Sequence, residues 1–317
     1  MPARQIAVFF LITLFLCSWH LDSGHNDNTM SRALAVAALV EHASLEISAH
    51  HELTGDKALI DGRYYSDKAP LPVFLVVPFW WFGKVIGVVK AGDHGYFNDR
   101  LLQLGGFLCG SLPLALIITL IWVRLGSGGA RSPAVLAMLP LFGSFLFVYS
   151  GSFFGHLIGA LFLLLALMAY DRQRMLLAGS LAGVAVLCEF TLAIFPLCWA
   201  VMLLIKDRNA ALRFLAGGIP GLAFLLLYNW TLSGNAFTLG YQHEVKYDFM
   251  SDRLGFRTPT WEATWGLGFS AYRGLLVFVP VLTMSDLQGR MFGPLGVAYI
   301  LAIMASLGVA LTVTPAL

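Results

Sequence analysis

Leu71-Pro-Val-Phe-Leu-Val-Val-Pro-Phe-Trp-Trp-Phe-Gly-Lys-Val-Ile-Gly-Val-Val89 is the stretch on which the reading of this chain turns. Counted as a membrane span, it moves every later loop to the opposite side. Arg124/Arg131, Arg172/Arg174 and Lys206/Arg208/Arg213 then all fall outside. Without it, the chain starts inside and its inside loops hold nine basic residues against three acids, leaving eleven of the 20 basic residues and fifteen of the 18 acids elsewhere. Short loops rich in Lys and Arg favour the cytoplasm, so the second reading holds. The segment agrees, because Pro70, Pro72 and Pro78 are expected to interrupt helix hydrogen bonding, while Trp80, Trp81 and Lys84 are interface residues. It reads as lying along, or dipping into, the outer leaflet.

Working outward, the composition excludes a soluble globule. The 317 residues are 58% hydrophobic and 12% charged, with a mean hydropathy of +0.76, too little polar surface to cover a soluble fold of this size. The expected fold class is an all-α polytopic membrane protein, a single transmembrane domain over 1–317 with no soluble domain. Further apolar runs fall at about 5–21, 101–123, 133–149, 152–170, 175–205, 213–232, 273–285 and 291–314, and 175–205 is long enough for two helices hinged near Glu189. The first run has no small-residue cleavage site and reads as an uncleaved helix rather than a signal peptide. Cys17, Cys109, Cys188 and Cys198 all lie in apolar runs and say nothing about redox compartment. The chain stops at Leu317 directly after an apolar run, which reads as a fragment or a reduced form of a longer protein.

This topology leaves one long external region, 22–100, and a second at 233–272. In the first, Asn28 and Thr29 are candidate caps for a surface-lying helix with Ala33, Val36, Ala37, Val40 and Ala43 on one face. Asp27 would sit at its positively polarised start, and residues 48–66 read as loop or short hairpin. Asp27, Asp56, Asp61, Asp67, Arg63 and Lys68 share this region with Tyr64 and Tyr65. Such a loop is usually only solvated. The grouping of Arg63, Tyr65 and Lys68 just before a membrane-dipping segment is nonetheless suited to grip a lipid phosphate.

The order of an apolar helix, Asn26-Asp27-Asn28 leading into a helix, Gly62-Arg-Tyr-Tyr-Ser-Asp-Lys-Ala-Pro-Leu-Pro72, and Trp80-Trp-Phe-Gly83 resembles the GT-C class of membrane glycosyltransferases. Within that class it looks most like the aminoarabinose transferase and protein O-mannosyltransferase branch, glycosyltransferase family 39. The resemblance implies a GT-C-like bundle of about 8–9 transmembrane helices and an inverting enzyme that moves a sugar from a polyprenyl-phosphate donor to an acceptor hydroxyl at the outer face. Asp27 would be the catalytic base and Lys68 would contact the donor phosphate. Arg63, Tyr65 and Arg273 are added to the phosphate grip from their chemistry and position. Membrane lipids and an unidentified acceptor are the further partners implied, with no cofactor, metal or nucleic acid, in a bacterial plasma membrane with the N-terminus inside.

Several positions depart from that pattern. Where a second acid is often found, this chain reads Tyr149-Ser-Gly-Ser-Phe-Phe-Gly-His156; His156 is either a polar group at the site mouth or a packing histidine bonded to Ser150 or Ser152. Glu189 reverses the charge expected of its segment and is either a site residue or a headgroup contact, an acid inside an apolar run being costly. Asp67 either orients Lys68 or is solvated. Tyr241, His243 and Glu244 are possible site-lining residues, and Arg273 either binds phosphate or snorkels. Metal-binding, P-loop and nucleophile-elbow motifs are missing from the sequence. Two other classes fit the composition: a lipid or solute transporter, and a noncatalytic assembly partner of GT-C type.

Overall fold

The computed structural model describes residues 2–22, 24–88, 99–142, 146–246 and 260–270. Helices dominate: α1 (Ala3–Cys17), α2 (Asp27–His42), α3 (Leu71–Val85), α4 (Asp99–Gly106), α5 (Leu112–Ser127), α6 (Pro133–Phe142), α7 (Leu146–Tyr149), α8 (His156–Asp171), α9 (Met175–Cys188), α10 (Ile194–Lys206), α11 (Arg208–Ser233) and α12 (Trp261–Phe269). A π-helical stretch, Phe107–Ser111, joins α4 to α5. The result is one 29-residue apolar helix, and with the 26-residue α11 it is long and apolar enough to cross a membrane. Six shorter apolar helices of 10–17 residues accompany them among the described residues. Among the described residues the fold is therefore all-α apart from one short hairpin, with two helices that could cross a membrane. The apolar runs expected at 273–285 and 291–314 lie outside the described residues.

The break in the long apolar run 175–205 falls at Glu189, whose backbone is extended at φ −156°, ψ 114° between α9 and a short 3-10 turn, Phe190–Ala193. Sequence places it there because a carboxylate cannot stay inside an apolar helix without a partner, and the broken backbone lets Glu189 turn toward one. The prolines of α3 behave differently from expectation. Pro72 occupies the first turn, where its missing N–H is no loss, and Pro78 is carried inside the helix.

α2 also corrects the sequence reading. Its cap is Asn26, whose side-chain oxygen accepts from Thr29 N at 3.0 Å, rather than Asn28 or Thr29. Nor is it one-sided: Thr29 through Ala38 are all buried, so the helix is wrapped by protein and does not lie on a surface. Its apolar residues join those of α3, α4 and the Phe153 loop in one core.

α9 and α11 pack through glycines. A Cβ on Gly179 would lie 1.8 Å from the Phe214 carbonyl oxygen, and one on Gly217 2.0 Å from that of Leu176, so only hydrogen fits at either crossing. Gly179→Leu is expected to force the two helices apart and to cost on the order of 1–3 kcal/mol or more. Thermal unfolding in detergent checks this; an unchanged midpoint would mean the helices do not rely on that approach.

The region read as loop or hairpin over 48–66 holds a 3-10 turn, Ser48–Leu53, followed by an antiparallel pair, β1 (Ala58–Ile60) and β2 (Arg63–Tyr65). Asp61 and Gly62 form its two-residue turn with φ of 49° and 77°. Asp-Gly is the pair that accepts two positive φ values, which is why the hairpin closes there.

Candidate functional site

Lys68 follows β2 and is 6% exposed as a side chain, held between two carboxylates. Its Nζ donates to Asp56 Oδ2 at 2.7 Å and to Asp67 Oδ2 at 2.9 Å. Burial works against the ammonium, but Asp67, Tyr241 and Asp56 outweigh it and hold the Lys68 pKa above the ordinary lysine value. Burial raises the Asp56 carboxyl despite the pull of Lys68. Asp67 is anchored from α2, where Ser31 Oγ donates to its Oδ1 at 3.4 Å and also meets Ser66 Oγ at 2.7 Å. Asp67 thus has a definite part: it holds Lys68 and is not solvated.

A second buried group lies behind the first. Arg32 of α2 is 1% exposed; its guanidinium reaches Glu189 Oε2 at 4.0 Å and donates to the Asn28 carbonyl at 3.2 Å and the Asn28 side chain. Arg32 Nε has no hydrogen-bond partner among the described residues. His156 Nδ1 lies 3.0 Å from the same Glu189 oxygen, so His156 pairs with Glu189 rather than with Ser150 or Ser152. Those serines are engaged elsewhere, Ser150 with the Cys17 carbonyl at 2.8 Å and Ser152 with Asp22 at 2.9 Å. Glu189 is buried at the break between α9 and the following turn, not held at a headgroup.

Asp27 sits at the edge of this arrangement. Its Oδ1 accepts from Gly55 N at 2.8 Å and its Oδ2 from Lys246 Nζ, while Thr54 Oγ1 donates to its carbonyl at 2.7 Å. Burial alone would raise this carboxyl, but the bonds from Lys246 and Gly55 prevail and its pKa is lowered. The residue ties three chain segments together.

Residues 240–246 lie against the hairpin and Lys68. Glu244 forms an isolated bridge with Ala58 beside β1, Val245 N donates to the Lys57 carbonyl at 3.2 Å, and Lys68 Nζ stands 5.5 Å over the Tyr241 ring. Asp27, Asp67, Lys68, Tyr241, Glu244, Glu189 and His156 therefore fall in one connected neighbourhood, as separate stretches of sequence did not reveal. His243 lies in the turn Gly240–His243 next to them. Arg63 does not join: its exposed guanidinium lies 3.8 Å from Glu46 on the outer face of the hairpin. Tyr65 turns instead to an apolar cavity of about 450 Å³ bordered by Leu39, Phe74, Phe224 and Tyr228. Arg273 lies outside the described residues. Arg32 is the group that sequence reasoning passed over, and an arginine between Ser31 and a run of alanines was the available signal; Asp56 was named among the charges of its loop but given no role.

Among the described residues no group of three or more His, Cys, Asp or Glu could hold a metal ion. The sequence profile of the AcrB/AcrD/AcrF family, an RND transporter family, matches residues 261–317, less than a fifth of the chain and mostly outside the described residues. No curated protein and no solved structure matches. The family match corrects the resemblance to GT-C glycosyltransferases, since the family found is a different one of membrane proteins. The sugar-transfer activity falls with it, and so do the base and donor-phosphate roles that resemblance assigned to Asp27 and Lys68.

Proposed function

We propose that this chain is a membrane transporter of a lipid or small solute in which the buried charges carry a coupling proton. The observation that carries the reading is the sequence of ionisable groups in one connected neighbourhood: Asp56, Lys68 and Asp67, then Glu189 and His156, with Arg32 beside them. Charges buried away from water are costly, and those in apolar runs, here Glu189 and His156, mark ion and proton pathways in membrane proteins. The partial likeness to the AcrB/AcrD/AcrF family supports the same class.

In this reading the protein is polytopic, with the shorter apolar helices crossing beside the two long ones, and sits in a bacterial inner membrane. The N-terminus and the basic turns around Arg124, Arg172 and Lys206 face the cytoplasm, and the charged cluster faces outward. Exposed Phe79, Trp81 and Phe82 suit α3 to the bilayer surface. Lys68 is shared by Asp56 and Asp67; a proton arriving on Asp56 would loosen the ammonium and alter the packing of α2 against the hairpin.

The reading is tested in vesicles containing the purified full chain, with an imposed pH gradient and a fluorescent amphiphilic cation or a fluorescent phospholipid as probe. Gradient-dependent movement of one probe, reduced at least about tenfold in Asp67→Asn that remains folded, is the expected result. Movement of neither probe, or equal rates with and without the gradient, would count against it.

A further inference from the structure

We propose that Glu244 is a proton-binding residue whose charge decides whether the segment 234–246 lies closed over the Lys68 cluster. The Glu244 side chain is buried between that segment and the hairpin. Its Oε1 accepts from Lys246 N at 2.9 Å, and its Oε2, buried, has no partner among the described residues. An ionised carboxylate would not be left with a bare oxygen in such a place, whereas a neutral carboxylic acid tolerates it far better.

The charges around it point the same way. Asp56, Asp67 and Lys68 all act electrostatically on Glu244, so an ionised Glu244 would add a third carboxylate to the two that already share the Lys68 ammonium. Of the other neighbours, Lys246 gives its ammonium to Asp27, and Lys57 gives its own to the His51 carbonyl at 2.6 Å. Tyr241 stacks under Lys68 and His243 adjoins it on the same turn. Burial and Asp67 raise the Glu244 carboxyl, the Lys246 N–H and Lys68 lower it, Asp56 raises it, and the balance stands at about 8. A carboxyl raised on closing stabilises the closed form fully below its open-state pKa, and that stability is lost as pH rises through about 8.

Among the described residues the closed form is held by the Ala58 bridge, one backbone bond to Lys57, the exposed Asp27 and Lys246 pair, the Tyr241 ring against Lys68 and Phe190, and Gly240 against the Asp67 backbone. Repulsion between an ionised Glu244 and the carboxylates on Lys68 would act against these contacts. Opening would admit water and ions to Lys68 from the outer side. The inference rests on the reading of that cluster as an ion-carrying site, but the distance it predicts is measured without cargo or gradient, so each can fail alone.

The experiment places spin labels at Leu59→Cys on the hairpin and Phe237→Cys on the segment, both exposed, in a Cys198→Ser background whose remaining cysteines are buried. The full chain in nanodiscs is expected to give one short distance near about pH 6 and a longer, broader distribution near about pH 9. Glu244→Gln, neutral at every pH, is expected to stay short at both. Asp56→Asn, which removes a facing charge, is expected to move the opening midpoint to higher pH. Identical distributions at both pH values in the parent, a Glu244→Gln protein that opens as the parent does, or an unmoved Asp56→Asn midpoint would each overturn the proposal.

Discussion

Lys68→Met is expected to destabilise the protein by about 3–5 kcal/mol, the cost of breaking a buried ion pair by removing one partner. Asp67 and Asp56 are 2% and 14% exposed as side chains, so neither can recover its lost partner from solvent. Ser31 would remain to Asp67, but a hydroxyl supplies one bond and no charge. The loss should shrink as pH falls. Burial already raises Asp56, and without Lys68 it would rise further, so mild acid would neutralise it where the parent protein keeps it ionised. Asp67→Asn combined with Lys68→Met should lose less than the sum of the two single changes, because the second removes the charge that the first left stranded. Thermal unfolding in detergent across pH decides the matter. A Lys68→Met midpoint equal to the parent's, or a loss that grows in acid, would mean the ammonium is not what holds these carboxylates.

Arg32→Met is the second large effect, about 3 kcal/mol or more, and for a different structural reason. Arg32 crosses from α2 to Glu189, where the apolar run breaks, so the guanidinium connects α2 to the α9 and α10 pair. Its loss leaves Glu189 with His156 alone. Arg32→Lys should not rescue it, because a single ammonium on a shorter reach cannot serve both Glu189 and the Asn28 carbonyl as the planar fork does. Glu189→Gln placed on Arg32→Met should recover part of the loss. If Arg32→Lys matched the parent in unfolding midpoint, the fork would be dispensable and the connection purely one of charge.

Much of the fold was legible in the chain because its signals are local. Apolar length marks the helices, and the break in the run 175–205 was readable at Glu189 itself. A short hairpin was one of the two readings of 48–66, and its turn falls at Asp61-Gly62, which the sequence reading did not single out. The failures have equally particular causes. α2 looked one-sided because Ser31 and Arg32 interrupt its alanines, whereas those two polar residues are directed to Asp67 and Glu189 inside the protein. Three prolines around α3 looked like a broken helix, but two of them occupy its cap and first turn.

The candidate site was legible as a set of residues and illegible as an arrangement. Lys68, Asp67 and Glu189 stood out because charge is scarce in this composition. The bond between Asp27 and Lys246 joins residues 219 apart in the chain, and no spacing rule reaches that far. The same is true of His156 with Glu189 and of Glu244 against Ala58. Arg63 and Lys68 share one loop, yet β-pairing turns Arg63 outward while the chain beyond β2 carries Lys68 inward.

By itself, then, the sequence determined an all-α chain, the apolar helices among the described residues and the break near Glu189, all properties of hydropathy and backbone preference over short spans. Only the tertiary structure decided that Lys68 is shared by Asp56 and Asp67, that Arg32 is buried against Glu189, and that Glu244 bridges to Ala58 beside β1. A buried charge is stable only where packing brings it an opposite one, and packing is set by the whole chain at once.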